Sequence, residues 1–367
     1  MAPPNESQAF HQMDSLRQAG ASHAFRTLNF TEGAVGTQRF PPGQARRRCM
    51  LDAGIWIEGP VMRIAFMGSG GLGGYFGARL CDGGAEVHFI ARGKHLQAMR
   101  GDGLRIEGPD AMHIRRVNAT DDPGKVGVVD FAMLCVKLWD TEAALRQMRP
   151  LIGPATTIIS FQNGVLKDQY LRAAHDESQI MGGVGYVATT IDRPGVIRQT
   201  GPMQRLLFGE FDGTRSPRGQ ALLAACLAGG IKAELSVNIL REIWQKYVFL
   251  VGLSGTTTTI RKTIGPIREN PQTRAFLQDV MREVVAVGRA QGVDLAEDYA
   301  LVRLKLADDV AHDMTSSMHH DLERGNPLEV RWLAGGVVEL GRRHGVPTPL
   351  NRAIADILAL HAAGNVA

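Results

Sequence analysis

The chain has 367 residues, a length that suggests about two domains of roughly 150 residues each. It is 44% apolar and 21% charged, which is typical of a globular protein, and its net charge of +4 gives no sign of nucleic-acid or membrane-surface binding. No apolar run reaches the length of about 18 residues that a membrane span needs. Four widely spaced cysteines show no zinc or disulfide pattern, which fits a reducing, cytoplasmic location.

Residues 1–61 are rich in Pro, Gly, Gln and Ser and lack sustained apolar periodicity. They contain no charged segment followed by an apolar one, which argues against a secretory signal peptide. The acidic residues Glu6, Asp14 and Glu32 argue against a transit peptide. We expect either a disordered extension or translation begun upstream of a natural start at Met62.

From Arg63 the pattern predicts strands alternating with helices. "RIAFM" is a short apolar strand, a glycine-rich turn opens a helix, and "EVHFIAR" is the next strand. Further strands at 128–136 and 156–161 enclose the helix "TEAALRQMRPL". This alternation predicts a Rossmann domain with a doubly wound, mostly parallel sheet.

The end of this domain and the start of the next are also visible in the sequence. "GVGYVATT", "GVIRQT" and "RLLFGEF" are predicted as antiparallel additions, and 232–238 as a last strand. From Ile239 the chain is predicted to be mostly helical, with the apolar spacing of one long helix stopped by Gly292. We therefore predict a Rossmann domain over 62–237 and a mostly helical domain over 238–367.

A G-x-G-x-x-G motif is formed by Gly68, Gly70 and Gly73, directly between the first predicted strand and its helix. In that context the glycines permit a tight turn, the close approach of a pyrophosphate, and helix packing on the strand. The predicted loop contacts are Gly68, Ser69, Gly70, Gly71, Leu72 and Gly73. The alternative is a plain glycine-rich turn.

The second predicted strand ends at Arg92, with Lys94 two residues later. An acidic residue there would bind a ribose 2′-hydroxyl, whereas a guanidinium suits a 2′-phosphate, so we predict NADPH as the cofactor. The alternative is that both residues are solvated surface charges.

Polar residues also follow two other predicted strands. Lys137 comes after one strand, and Gln162, Asn163 and Gly164 come after the next. Ligands in such sheets bind beyond the carboxyl ends of the strands, which favours a site there over ordinary strand-end turns.

Lys246 lies within the apolar stretch "EIWQKYVFLVGL". In a helix, Glu242 would lie one turn earlier, so an exposed ion pair is one interpretation. The other is an amine at the mouth of a cleft, which would protonate an oxyanion formed by hydride transfer. Residue chemistry alone leaves both open.

A second polar cluster spans 315–332. Its Thr and Ser residues suit a helix cap, and Ser317 would alternatively bind a substrate carboxylate. Glu329 lies among apolar residues and would bind a polar ligand. His319 and His320 lack the spacing of a known metal site, so we interpret them as surface histidines.

Taken in order, "MRIAFMGSGGLGGYFGARL", "CVKLWDT", "FQNG", "IWQKYVF", "TSSMHHDLERG" and "LEVRWLAG" resemble the ketopantoate reductases (2-dehydropantoate 2-reductases) over about residues 62–363. The resemblance implies reduction of 2-dehydropantoate to pantoate with NADPH, for pantothenate and coenzyme A synthesis. It implies an NADP-binding Rossmann domain over 62–237 followed by an all-helical substrate and dimerisation domain over 238–367. It also implies a small-molecule 2-keto acid as partner, without nucleic acid or membrane, and a homodimer as one possible assembly.

The resemblance also implies roles for single residues. The Gly68–Gly73 loop holds the pyrophosphate, Arg92 the 2′-phosphate, and Lys246 is the proton donor. Lys137 and Asn163 line the nicotinamide ribose and the substrate, and the backbone at Ala188 runs past the nicotinamide. Ser317 binds the substrate, and Glu329 contacts the cofactor ribose.

Three positions depart from the well-studied members. Leu250 and Ser254 stand where substrate-binding asparagines follow the catalytic lysine, and Ile264 replaces another asparagine. Ser254 remains a candidate substrate contact. Because an Asn→Leu replacement removes a donor and an acceptor, a paralogue acting on a less polar 2-keto acid is the second hypothesis. A non-catalytic NADP(H)-sensing protein is the third.

Overall fold

The computed structural model describes the backbone of residues 46–50 and 56–60 and the whole of residues 61–365. Within the predicted extension it shows two strands, β1 (Arg46–Met50) and β2 (Trp56–Pro60), paired antiparallel. These strands were not anticipated, and the rest of the predicted extension lies outside the described residues.

The following elements form the sheet-containing part, in chain order: β3 (Arg63–Met67), α1 (Gly71–Asp82), β4 (Glu86–Ile90), α2 (Gly93–Asp102), β5 (Leu104–Glu107), β6 (Met112–Ile114), β7 (Asn118–Thr120), β8 (Phe131–Leu134), α3 (Thr141–Gln147), β9 (Thr157–Ser160), α4 (Lys167–Ala174), β10 (Ile180–Arg193), β11 (Val196–Gly209), α5 (Pro217–Ala228) and β12 (Ala233–Leu235).

Ten of these strands form one sheet in the order β6-β5-β11-β10-β9-β8-β3-β4-β7, with β12 paired to β11. The central pairs, from β7 through β4, β3, β8 and β9 to β10, are all parallel. Strands β8 and β9 are buried at every residue, as expected for a parallel sheet covered on both faces. The predicted fold class is confirmed: a Rossmann sheet followed by helices.

A long hairpin extends the sheet on one side. β10 and β11 pair antiparallel from Gly182↔Gly209 to Arg193↔Val196. "GVIRQT" and "RLLFGEF", expected as separate additions, belong to one strand, β11, which pairs with β10 on both sides of a register shift between Val187 and Thr189. The β9 pairing ends at Met181, so the later part of β10 runs free of β9.

Several short elements were missed from the sequence. Strands β5, β6 and β7 have three or four residues each, too few to show a period of two. Helices α2, α4 and α5 were also unassigned. The strands predicted over 128–136 and 156–161 are shorter than expected, at Phe131–Leu134 and Thr157–Ser160.

The helical part contains α6 (Ile239–Ile260), α7 (Ile264–Glu269), α8 (Pro271–Ala290), α9 (Tyr299–Asp309), α10 (Ser317–Glu323), α11 (Ala334–His344) and α12 (Pro349–Ile357). The chain passes from β12 to α6 at Asn238, whose side chain accepts a hydrogen bond from Arg241 N and caps the helix. We propose 62–237 and 238–367 as the two domains on this basis.

Helix α8 supplies the apolar face on which the helical part is built. The predicted apolar positions are fully buried: Leu277, Val280, Met281, Val284 and Val287. Full burial of such side chains contributes about 1.5–3 kcal/mol each. Of the helices in residues 61–365, none is long and apolar enough to cross a membrane.

Candidate active site

A cavity of about 440 Å³ lies where the carboxyl ends of the parallel strands face the helical part. Its walls come from both halves of the chain. The predicted site residues that line it are Gly68, Ser69, Gly70, Gly71, Leu72, Arg92, Lys137, Asn163, Lys246, Ser317 and Glu329. The structure therefore brings together residues that are up to 261 positions apart, from Gly68 to Glu329.

The glycine-rich loop is shaped by close backbone contacts. Gly68 has a φ of +100°, and a Cβ there would lie 2.7 Å from Val136 N. A Cβ on Gly73 would collide with the Gly68 carbonyl, so the close packing here requires glycine, and Gly73 lies outside the cavity lining. Gly70 differs from both, because a Cβ there would meet nothing within 4 Å. The loop thus leaves open space at the start of α1, where unpaired N–H groups favour an anion.

His95 holds this loop in place and was not identified from the sequence. Its Nδ1 accepts a hydrogen bond from Gly195 N at 3.1 Å, so its Nε2–H donates to Ser69 O at 3.0 Å. Burial lowers the pKa of His95, whereas its hydrogen bond to Ser69 opposes that shift. The neutral ring therefore joins the loop to the β10–β11 turn. No sequence signal separated it from an ordinary helix residue.

Arg92 lies at the end of β4, as predicted, and occupies the N-cap position of α2, where its side chain makes no capping hydrogen bond. Its guanidinium is 68% exposed and contacts Asp140 Oδ2 at 3.2 Å. Lys94 is exposed on the first turn of α2. The guanidinium is accessible at the cavity rim, where its ion pair with Asp140 is a weak surface interaction.

Lys137 and Glu329 join the two halves at the cavity. Lys137 Nζ donates to Asp321 Oδ2 on α10 at 2.7 Å. The buried Glu329 accepts from Leu138 N at 3.1 Å, which fixes its carboxylate against the strand end. Asp321 is a further partner that the sequence reasoning missed.

Gln162 and Asn163 follow β9 and have different roles. Gln162 is buried, donates to Val136 O at 2.9 Å and to Thr141 Oγ1 at 2.8 Å, and thereby closes the strand-end turns. Asn163 is partly buried and directs its Oδ1 toward Lys246. Gln162 is thus a structural residue at the cavity wall, while Asn163 contacts the candidate acid.

Lys246 lies on α6, and the packing of its neighbours sets its direction. Trp244, Tyr247 and Val248 are buried, and the Tyr247 hydroxyl donates to Leu333 O at 2.7 Å. This fixes the rotation of the helix and places the amine in the cavity. Lys246 Nζ donates to Asn163 Oδ1 at 3.0 Å and to Gly185 O at 2.7 Å. Among the described ion pairs, none joins it to Glu242.

The surroundings make this amine unusually acidic. Burial lowers the pKa of Lys246 to about 8; the nearby Lys167 charge also lowers it, and Glu329 opposes the shift. At neutral pH the group is still mostly an ammonium, but it releases its proton far more readily than a surface lysine.

Ser317 is the first residue of α10 and lies exposed on the cavity wall. The helix is capped by its neighbour Ser316, whose Oγ accepts from His319 N at 3.1 Å. The Ser317 hydroxyl is thus left to face the cavity. His320 is exposed, but His319 is buried, so the surface interpretation is wrong for His319: its Nδ1 bonds Thr315 Oγ1 at 2.6 Å. Within the described residues, no cluster of three His, Cys, Asp or Glu could hold a metal ion.

Family models match both halves of the chain. The model described as "Ketopantoate reductase PanE/ApbA" matches residues 64–213, and the one described as "Ketopantoate reductase PanE/ApbA C terminal" matches residues 238–362. The chain belongs to the ketopantoate reductase family. It is an oxidoreductase of that family.

Individual relatives agree with this placement. A 2-dehydropantoate 2-reductase from Mesorhizobium japonicum is 32% identical over 320 residues, covering 82% of this chain and 96% of that protein. The crystal structure of a PanE/ApbA family ketopantoate reductase from Ralstonia eutropha JMP134 has a TM-score of 0.75 and 32% identity, covering 82% and 98%. D-mandelate dehydrogenase with NADH and anilino(oxo)acetate has a TM-score of 0.74 at 19% identity, again covering 82% and 98%, and shows likeness of fold alone.

Two predicted contacts of a ketopantoate reductase site stand outside the cavity wall. Ala188 lies on β10 between Val187 and Thr189, which do line the cavity. Ser254 is 1% exposed, and its Oγ has no hydrogen-bond partner within the described residues. Leu250 lines a small secondary cavity beside Lys246.

Ile264 lies in the helical core and is completely buried. It occupies a position where an asparagine was expected, and it has no access to the main cavity within the described part of the chain. Of the three departures, Leu250 is therefore the one nearest to the candidate acid.

Proposed function

We propose that the protein reduces 2-dehydropantoate to pantoate with NADPH, with Lys246 as the proton donor. The observation that supports this most is the placement of the Lys246 ammonium. It lies on the wall of a cavity shared by the glycine-rich loop and the helical part, and it is held there by Asn163 and Gly185.

The residues present fit a nicotinamide dinucleotide. The open space at Gly70 and the start of α1 suit a pyrophosphate, and Arg92 at the end of β4 suits a 2′-phosphate. Bound NADPH supplies the hydride for the keto carbon. Val187 and Thr189, on either side of Ala188, give that part of the cavity a wall formed by β10.

The chain's own residues then account for the proton. Lys246 donates its proton to the oxygen of the 2-keto group as negative charge develops there, because an ammonium within a partly dry cavity is a strong electrostatic partner. Asn163 holds the amine through its Oδ1, and the Ser317 hydroxyl is available to a substrate carboxylate. Glu329, fixed by Leu138 N, orders the cleft between the two halves.

The test is NADPH and NADH oxidation by the purified protein with a panel of 2-keto acids that includes 2-dehydropantoate. We expect turnover with NADPH and a clear preference for it over NADH. Absence of NADPH binding contradicts the proposal. Binding without oxidation of the cofactor by any 2-keto acid favours the sensing protein instead.

A second candidate is reduction of a less polar 2-keto acid, and the observation that favours it is Leu250. This side chain contacts the space beside Lys246, together with Ile243, Val184 and Tyr247. The Leu250 side chain itself offers no hydrogen-bond partner to a hydroxyl on the substrate.

Leu250→Asn tests this second candidate. If the natural substrate carries a 4-hydroxyl, we expect the wild type already to prefer 2-dehydropantoate over 2-keto acids that lack it. If the substrate is less polar, the preference is reversed in the wild type, and Leu250→Asn moves it several-fold toward 2-dehydropantoate. Phe249→Leu, on the adjacent position of α6, is a control for general disturbance of the helix.

A further inference from the structure

A second lysine lies buried beside the candidate acid. Lys167 begins α4 and is 1% exposed, among the most deeply buried of the large side chains. Its Nζ donates to Ser160 O at 2.6 Å, to Gly183 O at 2.9 Å and to Asp168 Oδ1 at 3.4 Å. A charged side chain is rarely buried this completely unless every one of its hydrogen-bonding groups is used.

The three partners indicate the charge that Lys167 carries. An ammonium has three N–H donors and no acceptor, which matches two carbonyls and one carboxylate. A neutral amine has two N–H groups, and its lone pair would face one of these oxygens. Burial lowers the pKa of Lys167, but the Asp168 carboxylate opposes that change. The geometry favours the ammonium.

Lys167 and Lys246 share one strand and one small cavity. Lys167 binds the carbonyl of Gly183, and Lys246 binds the carbonyl of Gly185, two residues further along β10. This is the stretch beyond Met181, where the β9 pairing has ended. Both side chains also line the small cavity beside Leu250. The two positive charges are therefore neighbours in a region with little water.

The groups around Lys246 come from four elements. Lys167 faces it from the start of α4, Glu329 from the turn before α11, and the Tyr186 ring from β10, with its centroid 5.5 Å from Nζ. Tyr247 is adjacent on α6 itself, and burial raises its pKa above the usual range, so it stays neutral.

On the other side of Lys167 lies Cys135, whose pKa is also raised by burial, so its thiol stays neutral too. The charges that act on Lys246 are therefore those of Lys167 and Glu329, of opposite sign.

We propose that Lys167 is a positioning residue for the reaction: its buried ammonium fixes the strand segment that holds Lys246 and makes Lys246 a stronger acid. This rests on the proposed function, because it takes Lys246 as the proton donor. Lys167 need not touch substrate or cofactor. It acts through the Gly183–Gly185 backbone and through its charge.

The experiment is a pH profile of kcat for Lys167→Gln and Lys167→Met, with Lys232→Gln as control. Gln keeps an N–H donor but removes the charge, whereas Met keeps a similar side-chain length and removes both the donor and the charge. Lys232 is an exposed lysine just before β12. We expect the alkaline limb of the profile to move to higher pH by roughly half a pH unit in both Lys167 variants, because a like charge near Lys246 has been removed. The Lys232 variant keeps the wild-type limb.

A purely structural role for Lys167 would lower the amount of folded enzyme or kcat without moving the limb. That result, in either folded Lys167 variant, overturns the proposal. Failure of the proposed function gives a different result, since Lys246→Ala would then retain turnover. If Lys246→Ala is inactive and the limb stays in place in the Lys167 variants, the inference alone is wrong.

A second measurement covers variants that do not fold. Acetylation of the wild-type protein over a pH series, followed by peptide mass spectrometry, reports the ionisation of Lys246 without any assay of activity. We expect its midpoint to lie well below that of the exposed lysines. A midpoint equal to that of Lys232 overturns the proposal whatever the variants do.

Discussion

The two walls of the cavity are built in different ways. The glycine-rich wall is set by local backbone: Gly68 at positive φ, the contact of Gly73 with Gly68 O, and the start of α1 all lie within a few residues. The wall that carries Lys246, here called the acid wall, is set by contacts between distant segments. Lys246 binds Asn163, 83 positions away in the sequence, and Gly185, 61 positions away. The backbone of the proposed pyrophosphate loop is thus shaped largely within one segment, whereas the position of the proposed acid depends on segments from both halves of the chain.

The largest expected effect tests whether the two walls act separately. Lys246→Ala should lower kcat by about 10²–10⁴-fold, the usual contribution of a general acid. The dissociation constant for NADPH should change little, because the loop and Arg92 are untouched. Steady-state kinetics and fluorescence titration of NADPH measure the two quantities.

Lys262→Ala, on the exposed turn after α6, is the matched control and should behave as wild type. Loss of NADPH binding in Lys246→Ala would show that the two walls are not separable. Unchanged turnover would remove Lys246 from the reaction.

The next effect concerns Arg92, at the rim of the glycine-rich wall. Arg92→Ala should weaken NADPH binding by about 10–100-fold, since a charge-assisted hydrogen bond to a phosphate contributes about 1.5–3 kcal/mol. Binding of NADH should stay the same, because it lacks the 2′-phosphate. Titration with both cofactors measures this, with the exposed Arg105→Ala on β5 as control. Equal losses for both cofactors would contradict the assignment.

The pH dependence of kcat tests the acid wall without a substitution, through the ionisation of Lys246. Burial, with a further contribution from Lys167, lowers the pKa of Lys246 to about 8. The ammonium is the donor, so the rate of reduction should be level below that pH and fall about tenfold per unit above it. A profile measured from pH 6 to 10 decides this, and a rate that stays level to pH 10 would contradict it.

The smallest effect compares two glycines with open space at their Cβ positions, Gly70 and Gly101. Gly70→Ala should weaken NADPH binding several-fold, because the methyl group occupies the space next to the expected pyrophosphate. Gly101→Ala lies in α2 and should leave NADPH binding unchanged. Thermal unfolding of both variants separates binding from stability, and equal affinities would show that the loop does not approach the cofactor.

The same contrast explains what could be predicted from the sequence. The β3–α1–β4 unit and the helix containing Lys246 were predicted because strong apolar periods and glycine spacing are local signals. Lys167 was missed because "KDQYLRAA" has the pattern of a polar helix, and its buried partners Ser160 and Gly183 lie on two separate strands. His95 was missed for the same reason, since its two partners, Ser69 and Gly195, lie in different segments.

The early end of β9 has one more consequence. A strand that outruns its neighbour leaves backbone carbonyl and N–H groups without a partner in the sheet, and a buried group left unpaired costs free energy. Here the carbonyls of Gly183 and Gly185 are bound by Lys167 and Lys246, so charged side chains occupy the edge instead. The two lysines thus donate hydrogen bonds to buried backbone that β9 does not reach, so each satisfies the fold in addition to its proposed role at the site.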